Sequence, residues 1–193
     1  TEKGGDGEIL LINNSGFGTY GQFPEPNGET QMNMLAVNVC APVYLTSRLL
    51  PLLTERGGVI LNVASTAAFQ PLPFMSTYAA TKAFLMHWSL ALNEDLKGTG
   101  ISTLVLCPGP TETNFFARAG FTESPMSTYP GQTSEEVVET ALCALAKGKS
   151  LTVSGWHNRL LVFISSKLPK LIVTKIAAIG LRLARLEQFK KNK

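Results

Sequence analysis

Short apolar runs bounded by Gly, Pro and Asn alternate with longer stretches in which apolar residues recur every three or four positions. Glu8–Asn13 (EILLIN) is the first short run and predicts a buried strand. Asn14–Gly28 reads as loop, rich in Gly, Pro and Asn. From Glu29 to about Leu53 the period becomes helical, through Met34, Leu35, Asn38, Val39, Pro42, Leu45, Leu49 and Leu52. Pro42 is expected to bend this helix or to mark a first turn. Gly57-Gly58 ends it, and Val59–Ala64 (VILNVA) predicts a second buried strand. Ser65–Ser76 is a loop carrying Pro71 and Pro73, and Thr77 to about Leu96 predicts a strong helix closed by Gly98. Ile101–Leu106 (ISTLVL) predicts a third strand, stopped by Pro108-Gly109-Pro110. A helix is expected to open at Ser134, with Glu135 and Glu136 in its acidic first turn. Leu151–Val153 suits a last short strand, and two apolar, basic segments broken near Pro169 follow.

Strand and helix in alternation predict a parallel sheet with helices on both faces. Ligands of such sheets bind at the carboxyl ends of the strands. The loops at Asn14–Gly16, Ser65–Ser76 and Pro108–Thr113 are therefore expected to meet at one crevice.

Composition narrows the class. At 193 residues, 45% hydrophobic and 16% charged, the chain has enough apolar side chains for one core, which excludes a disordered segment. Gly and Pro follow no fixed period. Cys40, Cys107 and Cys143 are three, widely spaced and without CxxC, so a disulfide scaffold or zinc module is not expected and a reducing, cytoplasmic setting is. None of the three has a basic activator beside it in sequence, and His87 and His157 lack metal-ligand spacing, so no metal site is expected. Asn13-Asn14-Ser15 matches a glycosylation sequon, but its place at a buried strand end argues against modification. The net charge of +3 conceals a division: residues 1–150 hold 8 Lys/Arg against 13 Asp/Glu, and residues 151–193 hold 9 Lys/Arg against Glu187 alone. The modest total argues against a nucleic-acid binder.

Candidate chemistry sits at Ser65, Tyr78 and Lys82. Tyr78 and Lys82, four apart on a helix, share a face. A free tyrosine is a poor acid–base at neutral pH, and a neighbouring ammonium is expected to lower its pKa. Tyr78 would then exchange a proton with a carbonyl or alcohol oxygen, and Ser65 would hydrogen-bond that oxygen.

In order and spacing these residues resemble the C-terminal portion of a classical short-chain dehydrogenase/reductase, from about Glu8 to Gly155. Asn13-Asn14-Ser15-Gly16 is similar to the family's Asn-Asn-Ala-Gly, with Ser for Ala. Asn38 lies in NMLAVNV where the family keeps a helix Asn. Ser65 precedes Tyr78 by thirteen residues, Tyr78-x-x-x-Lys82 follows, and Pro108-Gly109 leads to Thr113. The resemblance implies a Rossmann-like three-layer α/β fold, a doubly wound parallel sheet missing its first three strands. It implies NADP or NAD as cofactor, with NADP favoured. The activity implied is interconversion of a carbonyl and a secondary alcohol. Lys82 would also hold the nicotinamide ribose, and Asn38 a water linking Lys82 to solvent. Asn14, Ser15, Gly16, Tyr78, Lys82, Pro108, Gly109, Thr111 and Thr113 are the implied cofactor contacts. Thr66 remains a neighbouring candidate for the role of Ser65, which would otherwise cap a turn; Thr111 and Thr113 serve equally as helix caps. PLPFMSTYAATKAF is similar to 3-oxoacyl reductases and 17β-hydroxysteroid dehydrogenase-like members. An apolar substrate is thus implied, with Ser65, Phe74, Met75, Phe115 and Phe116 as candidate lining, or for the last four ordinary core.

The family's Gly-rich phosphate turn, Thr-Gly-x-x-x-Gly-x-Gly, is not found in this sequence. Gly4-Gly5-Asp6-Gly7 has no strand before it and no helix after it. Thr1 is accordingly read as a cut end, with roughly 80 residues expected upstream in the parent protein. The chain by itself is expected to aggregate or stay molten and not to bind NADPH, and a catalytically silent, binding-only protein is the alternative reading. Residues 1–155 form the expected catalytic portion and 156–193 a basic amphipathic helical tail. In 171–189, Ile172, Ile176, Ile179, Leu183 and Leu186 make a stripe with Lys175, Arg182 and Arg185 off it. No uncharged apolar run there reaches the roughly 18 residues of a span. Three fates are open to 168–193: packing on the enzyme or on a partner subunit of a homo-oligomer, peripheral membrane contact, or fraying.

Overall fold

The structure is a computed structural model that describes residues 7–23, 27–121 and 131–191, with side chains to Arg182. Four parallel strands lie in the order β1 (Ile9–Asn13), β2 (Gly58–Val63), β3 (Ile101–Cys107) and β4 (Leu151–Val153). The expected α/β alternation is present, with each crossover made by helices. α1 (Gly28–Leu35), a π-helical turn (Ala36–Cys40) and α2 (Ala41–Arg56) join β1 to β2. A 3₁₀ turn (Thr66–Phe69) and α3 (Ser76–Asp95) join β2 to β3. α4 (Phe115–Arg118) and α5 (Ser134–Ala146) lead to β4, and α6 (Trp156–Lys167) and α7 (Lys170–Lys191) follow it. The candidate stripe's last members, Leu183 and Leu186, and Arg185 lie outside the described side chains.

Apolar residues on the two faces of the central strands build the core. Leu61, Leu104 and Leu106 pack with Val137, Ala141 and Ala144 of α5, while Ile60 and Ile101 pack with Leu53 of α2 and Leu96. α5 opens at Ser134, where the sequence reading placed its start. Thr133 is the cap, its hydroxyl accepting from the Glu136 N–H while the Glu136 carboxylate accepts from the Thr133 N–H.

The Gly28–Arg56 run is long and apolar enough, by length and composition, to cross a membrane. In this fold it turns Met34, Asn38, Thr46 and Leu53 inward as a layer beside the sheet. Pro42 stands in the first turn of α2, directly after the π turn. Lacking an N–H, it gives no helical bond to the carbonyl of Asn38 four residues back. The π turn is also where the helix swings the Asn38 side chain into the protein.

Among the described residues β1 pairs only with β2, so it is an edge, with Leu10 and Ile12 about half exposed. Asn13 is paired in register with Asn62, and their side chains are hydrogen-bonded at 2.7 Å. The sequon asparagine is thus a buried structural group.

Candidate active site

Three loops meet at the carboxyl ends of β1, β2 and β3. The Thr66 N–H donates to the Pro108 carbonyl at 2.8 Å, and the Ala64 N–H to Leu106, tying the segments after β2 and β3 together. Ser65 is extended and caps the 3₁₀ turn, its hydroxyl accepting from the Ala67 N–H at 3.1 Å. The same side chain acts on the Tyr78 hydroxyl and lowers its pKa, so capping and site contact coexist in one residue.

Tyr78 and Lys82 stand one turn apart on α3 and are both buried. The Lys82 ammonium lies 5.9 Å from the Tyr78 ring centroid and donates to the Val63 carbonyl at 2.8 Å. Asn38 reaches the same place from the π turn. Its amide nitrogen donates to the Phe17 carbonyl at 2.8 Å and to the Thr81 hydroxyl at 3.0 Å, and its oxygen accepts from the Phe17 N–H at 3.1 Å. The side chain of Asn38 therefore splices the loop after β1 to α3.

The electrostatics depart from the sequence expectation. Burial pushes the Tyr78 hydroxyl up to about 12, against a smaller lowering from Ser65. The expectation that Lys82 lowers the Tyr78 pKa is not met in this arrangement, because desolvation outweighs the other influences on the phenol. Burial also pulls Lys82 down to about 8, opposed by Cys107. Cys107, fully buried at the end of β3, is pushed up to about 12 by desolvation, despite the Ser65 backbone N–H and Lys82. It is an inert thiol at neutral pH.

An aromatic cluster encloses Tyr78. Phe115 lies 5.2 Å from its ring, Phe116 packs edge-on to Phe115, and Met75 is buried beside them. Three of the four apolar candidates for the lining are thus gathered at Tyr78. Phe74 stands further out, against Tyr20 at 6.0 Å, with φ 65° in the left-handed region.

The implied cofactor contacts divide into two groups. Gly16 lies against the site: a Cβ there would come within 3.0 Å of Asn38 Oδ1 and 3.4 Å of Lys82 Nζ. The space a Cβ would take at Gly16, beside Asn38 and Lys82, suits the ribose end of a nicotinamide dinucleotide. Asn14 and Ser15 are exposed on the neighbouring loop. By contrast, the Asn158 amide of α6 covers Gly109, where a Cβ would meet it at 2.3 Å. Thr111 donates to the Gly109 carbonyl, and Thr113 accepts from the Phe115 N–H, so both threonines are engaged locally, while Asn114 stands at the cap position of α4.

Sequence reasoning passed over Phe17, Gly18 and Thr81, and set Cys107 aside for want of a basic neighbour in sequence, where Lys82 is its neighbour in space. Gly18 is required for close approach, since a Cβ would meet the Phe115 ring at 2.7 Å and the Tyr78 ring at 3.0 Å. The Gly16-x-Gly18 spacing was the available signal; the Phe17 contacts are made by backbone and left none. Two surface hollows, of about 300 Å³ beside α5 and about 370 Å³ at the amino ends of β2 and β3, lie away from Tyr78.

Comparison with known proteins agrees with this geometry. The family model described as short chain dehydrogenase matches residues 8–123. The ketoacyl reductase HetN of Nostoc sp. is 33% identical over 148 residues, covering 75% of this chain and 50% of the relative. A serine 3-dehydrogenase of Rhizobium radiobacter is 31% identical over 152 residues, covering 75% and 61%. Among solved structures, the short-chain dehydrogenase from Sphingobium yanoikuyae in complex with NADPH superposes with a TM-score of 0.69 at 32% identity, over 75% of this chain and 56% of that one. The chain spans half to about three-fifths of the length of these curated relatives.

Proposed function

The chain belongs to the short-chain dehydrogenase family, and from that premise we propose that it is the catalytic portion of an NAD(P)(H)-dependent oxidoreductase interconverting a carbonyl and a secondary alcohol. The observation that carries this reading is the placing of Ser65 close enough to the Tyr78 hydroxyl to lower its pKa, with the Lys82 ammonium beside the ring. A nicotinamide dinucleotide supplies or accepts the hydride when bound. The protein's own groups manage the oxygen and its proton. Ser65 donates to the substrate oxygen and steadies its developing charge. Tyr78 passes its proton to that oxygen in reduction and takes it back in oxidation. Lys82 keeps a positive charge next to the phenol and holds the ribose hydroxyls beside Gly16. The Asn38 carbonyl, which Pro42 leaves without its usual helical donor, is suited to hold a water that returns protons from solvent to Lys82. Apolar lining by Phe115, Phe116 and Met75 favours an apolar acyl or sterol-like substrate, and the ketoacyl reductase relative is in keeping with that class.

A second reading is a silent protein that binds without turnover. It is favoured by the cover of Phe115 on Tyr78 and of Asn158 on Gly109. Following NADPH oxidation at 340 nm by the parent protein, across a panel of long-chain and cyclic ketones, separates the two. The oxidoreductase reading expects turnover that falls by about 10²-fold or more in Tyr78→Phe, the scale of lost acid–base catalysis. Turnover unchanged in that variant, or binding of ketone without turnover, overturns it.

A further inference from the structure

The two C-terminal helices are amphipathic in the inverted sense. On α7 the residues turned toward the protein are small or modest, Val173, Thr174, Ala177 and Ala178. Its branched residues Ile172, Ile176 and Ile179 face outward, each about half exposed, with Lys175 and Arg182 along one edge of the stripe. On α6 the inward residues are Asn158, Val162 and Ser165, while Trp156, Leu160 and Phe163 are more than half exposed. The helices are not loose. Lys170 Nζ donates to the Phe69 carbonyl at 2.7 Å, the Tyr20 hydroxyl donates to the Leu181 carbonyl at 3.1 Å, and Val173 is buried. Both helices are thus held on the body with their large apolar side chains outermost. Arrayed aromatic and aliphatic side chains on a protein surface mark an interaction site.

Charge selects the occupant. Residues 151–193 carry nine Lys/Arg against a single acid, Glu187. A second copy meeting this face about a two-fold axis would set the basic segment against itself. An anionic bilayer instead offers an apolar interior to the isoleucine and aromatic side chains, and phosphate charge to the lysine and arginine edge.

We infer that the outer face of α6–α7 docks on an anionic lipid surface. Tyr20, which bonds α7, also packs against Phe121 at 4.2 Å, and Phe121 belongs to the cluster around Tyr78. Docking therefore sets the aromatic approach to Tyr78 beside the surface of the bilayer.

The test uses the full chain with sucrose-loaded vesicles of phosphatidylcholine and phosphatidylglycerol at 7:3, against vesicles of phosphatidylcholine alone. Co-sedimentation is expected only with the anionic vesicles, and to be at least about tenfold weaker in Lys175→Glu/Arg182→Glu. In a Trp88→Phe background the emission of Trp156 is expected to shift to the blue on binding. Ile176→Asn/Ile179→Asn changes exposed positions, so it is expected to keep the far-ultraviolet circular dichroism of the parent and lose the vesicles. Equal pelleting on neutral vesicles, no pelleting at all, or retention by both double variants overturns the inference. So does sedimentation equilibrium showing a dimer that Ile176→Asn/Ile179→Asn dissolves, because the face then belongs to a second copy.

Discussion

At the scale of single residues, burial governs the site. Tyr78 and Lys82 sit together with the phenol pushed to about 12 and the ammonium pulled to about 8. Each is driven toward its neutral form, the expected response of ionisable groups taken out of water. This has a sign in stability. Between about pH 8 and the ordinary lysine value of 10.5, the unfolded chain holds the Lys82 proton and the folded chain has released it. Stability therefore rises with pH across the lower part of that window. Cys107 and Tyr78 act oppositely, since the folded state keeps protons that the unfolded state loses above their ordinary values of 9.0 and 10.0. The melting temperature is expected to climb from about pH 8 to about pH 9, level off, and fall above about pH 10. Lys82→Met should remove the climb and leave the fall. A melting temperature flat across this range in the parent protein would contradict the placement of Lys82.

At the scale of elements, buried polar chains decide how helices register on the sheet. Asn13 of β1 donates to Asn62 of β2, Asn62 donates to Ser89 of α3 at 2.7 Å, and Thr103 of β3 donates to the Ser89 carbonyl at 2.8 Å. Three strands and α3 are thereby linked through groups that are all buried. Replacing Asn62 with Ala leaves the Asn13 amide and the Ser89 hydroxyl short of a partner. A loss of about 1–3 kcal/mol is expected from the denaturant midpoint; no change would mean that the network is dispensable. The periodicity of Asn13 and Asn62 in their strands was legible, but their pairing was not, because register is a property of two segments 49 residues apart. The α5 start, by contrast, was plain in sequence: its acidic first turn opens at Ser134 as read, and the structure adds the capping box from Thr133.

At the scale of the whole molecule, two apolar surfaces stand out among the described residues: the outer face of α6–α7 and the edge strand β1. The β1 edge shows Leu10 and Ile12 beside backbone groups that no strand pairs. Such an edge invites intermolecular pairing. Light scattering of the purified chain is expected to show concentration-dependent association, reduced in Leu10→Lys/Ile12→Lys; scattering that is unaltered in the variant would locate the association elsewhere. The sequence by itself determined the alternation of strands and helices, since hydrophobic periodicity is a local property of the chain. It also determined the grouping of Ser65, Tyr78 and Lys82, because strand ends and one helix turn fix where such residues can lie, whereas Asn38 entered only through the family resemblance. Only the tertiary structure decided the protonation bias of Tyr78, the cover of Gly109 by Asn158, and the outward turn of the Ile172–Ile176–Ile179 stripe. The physical reason is common to all three. Burial depends on what distant segments bring to one place, and neither the period of a helix nor the spacing of a motif records which side of it meets the rest of the protein.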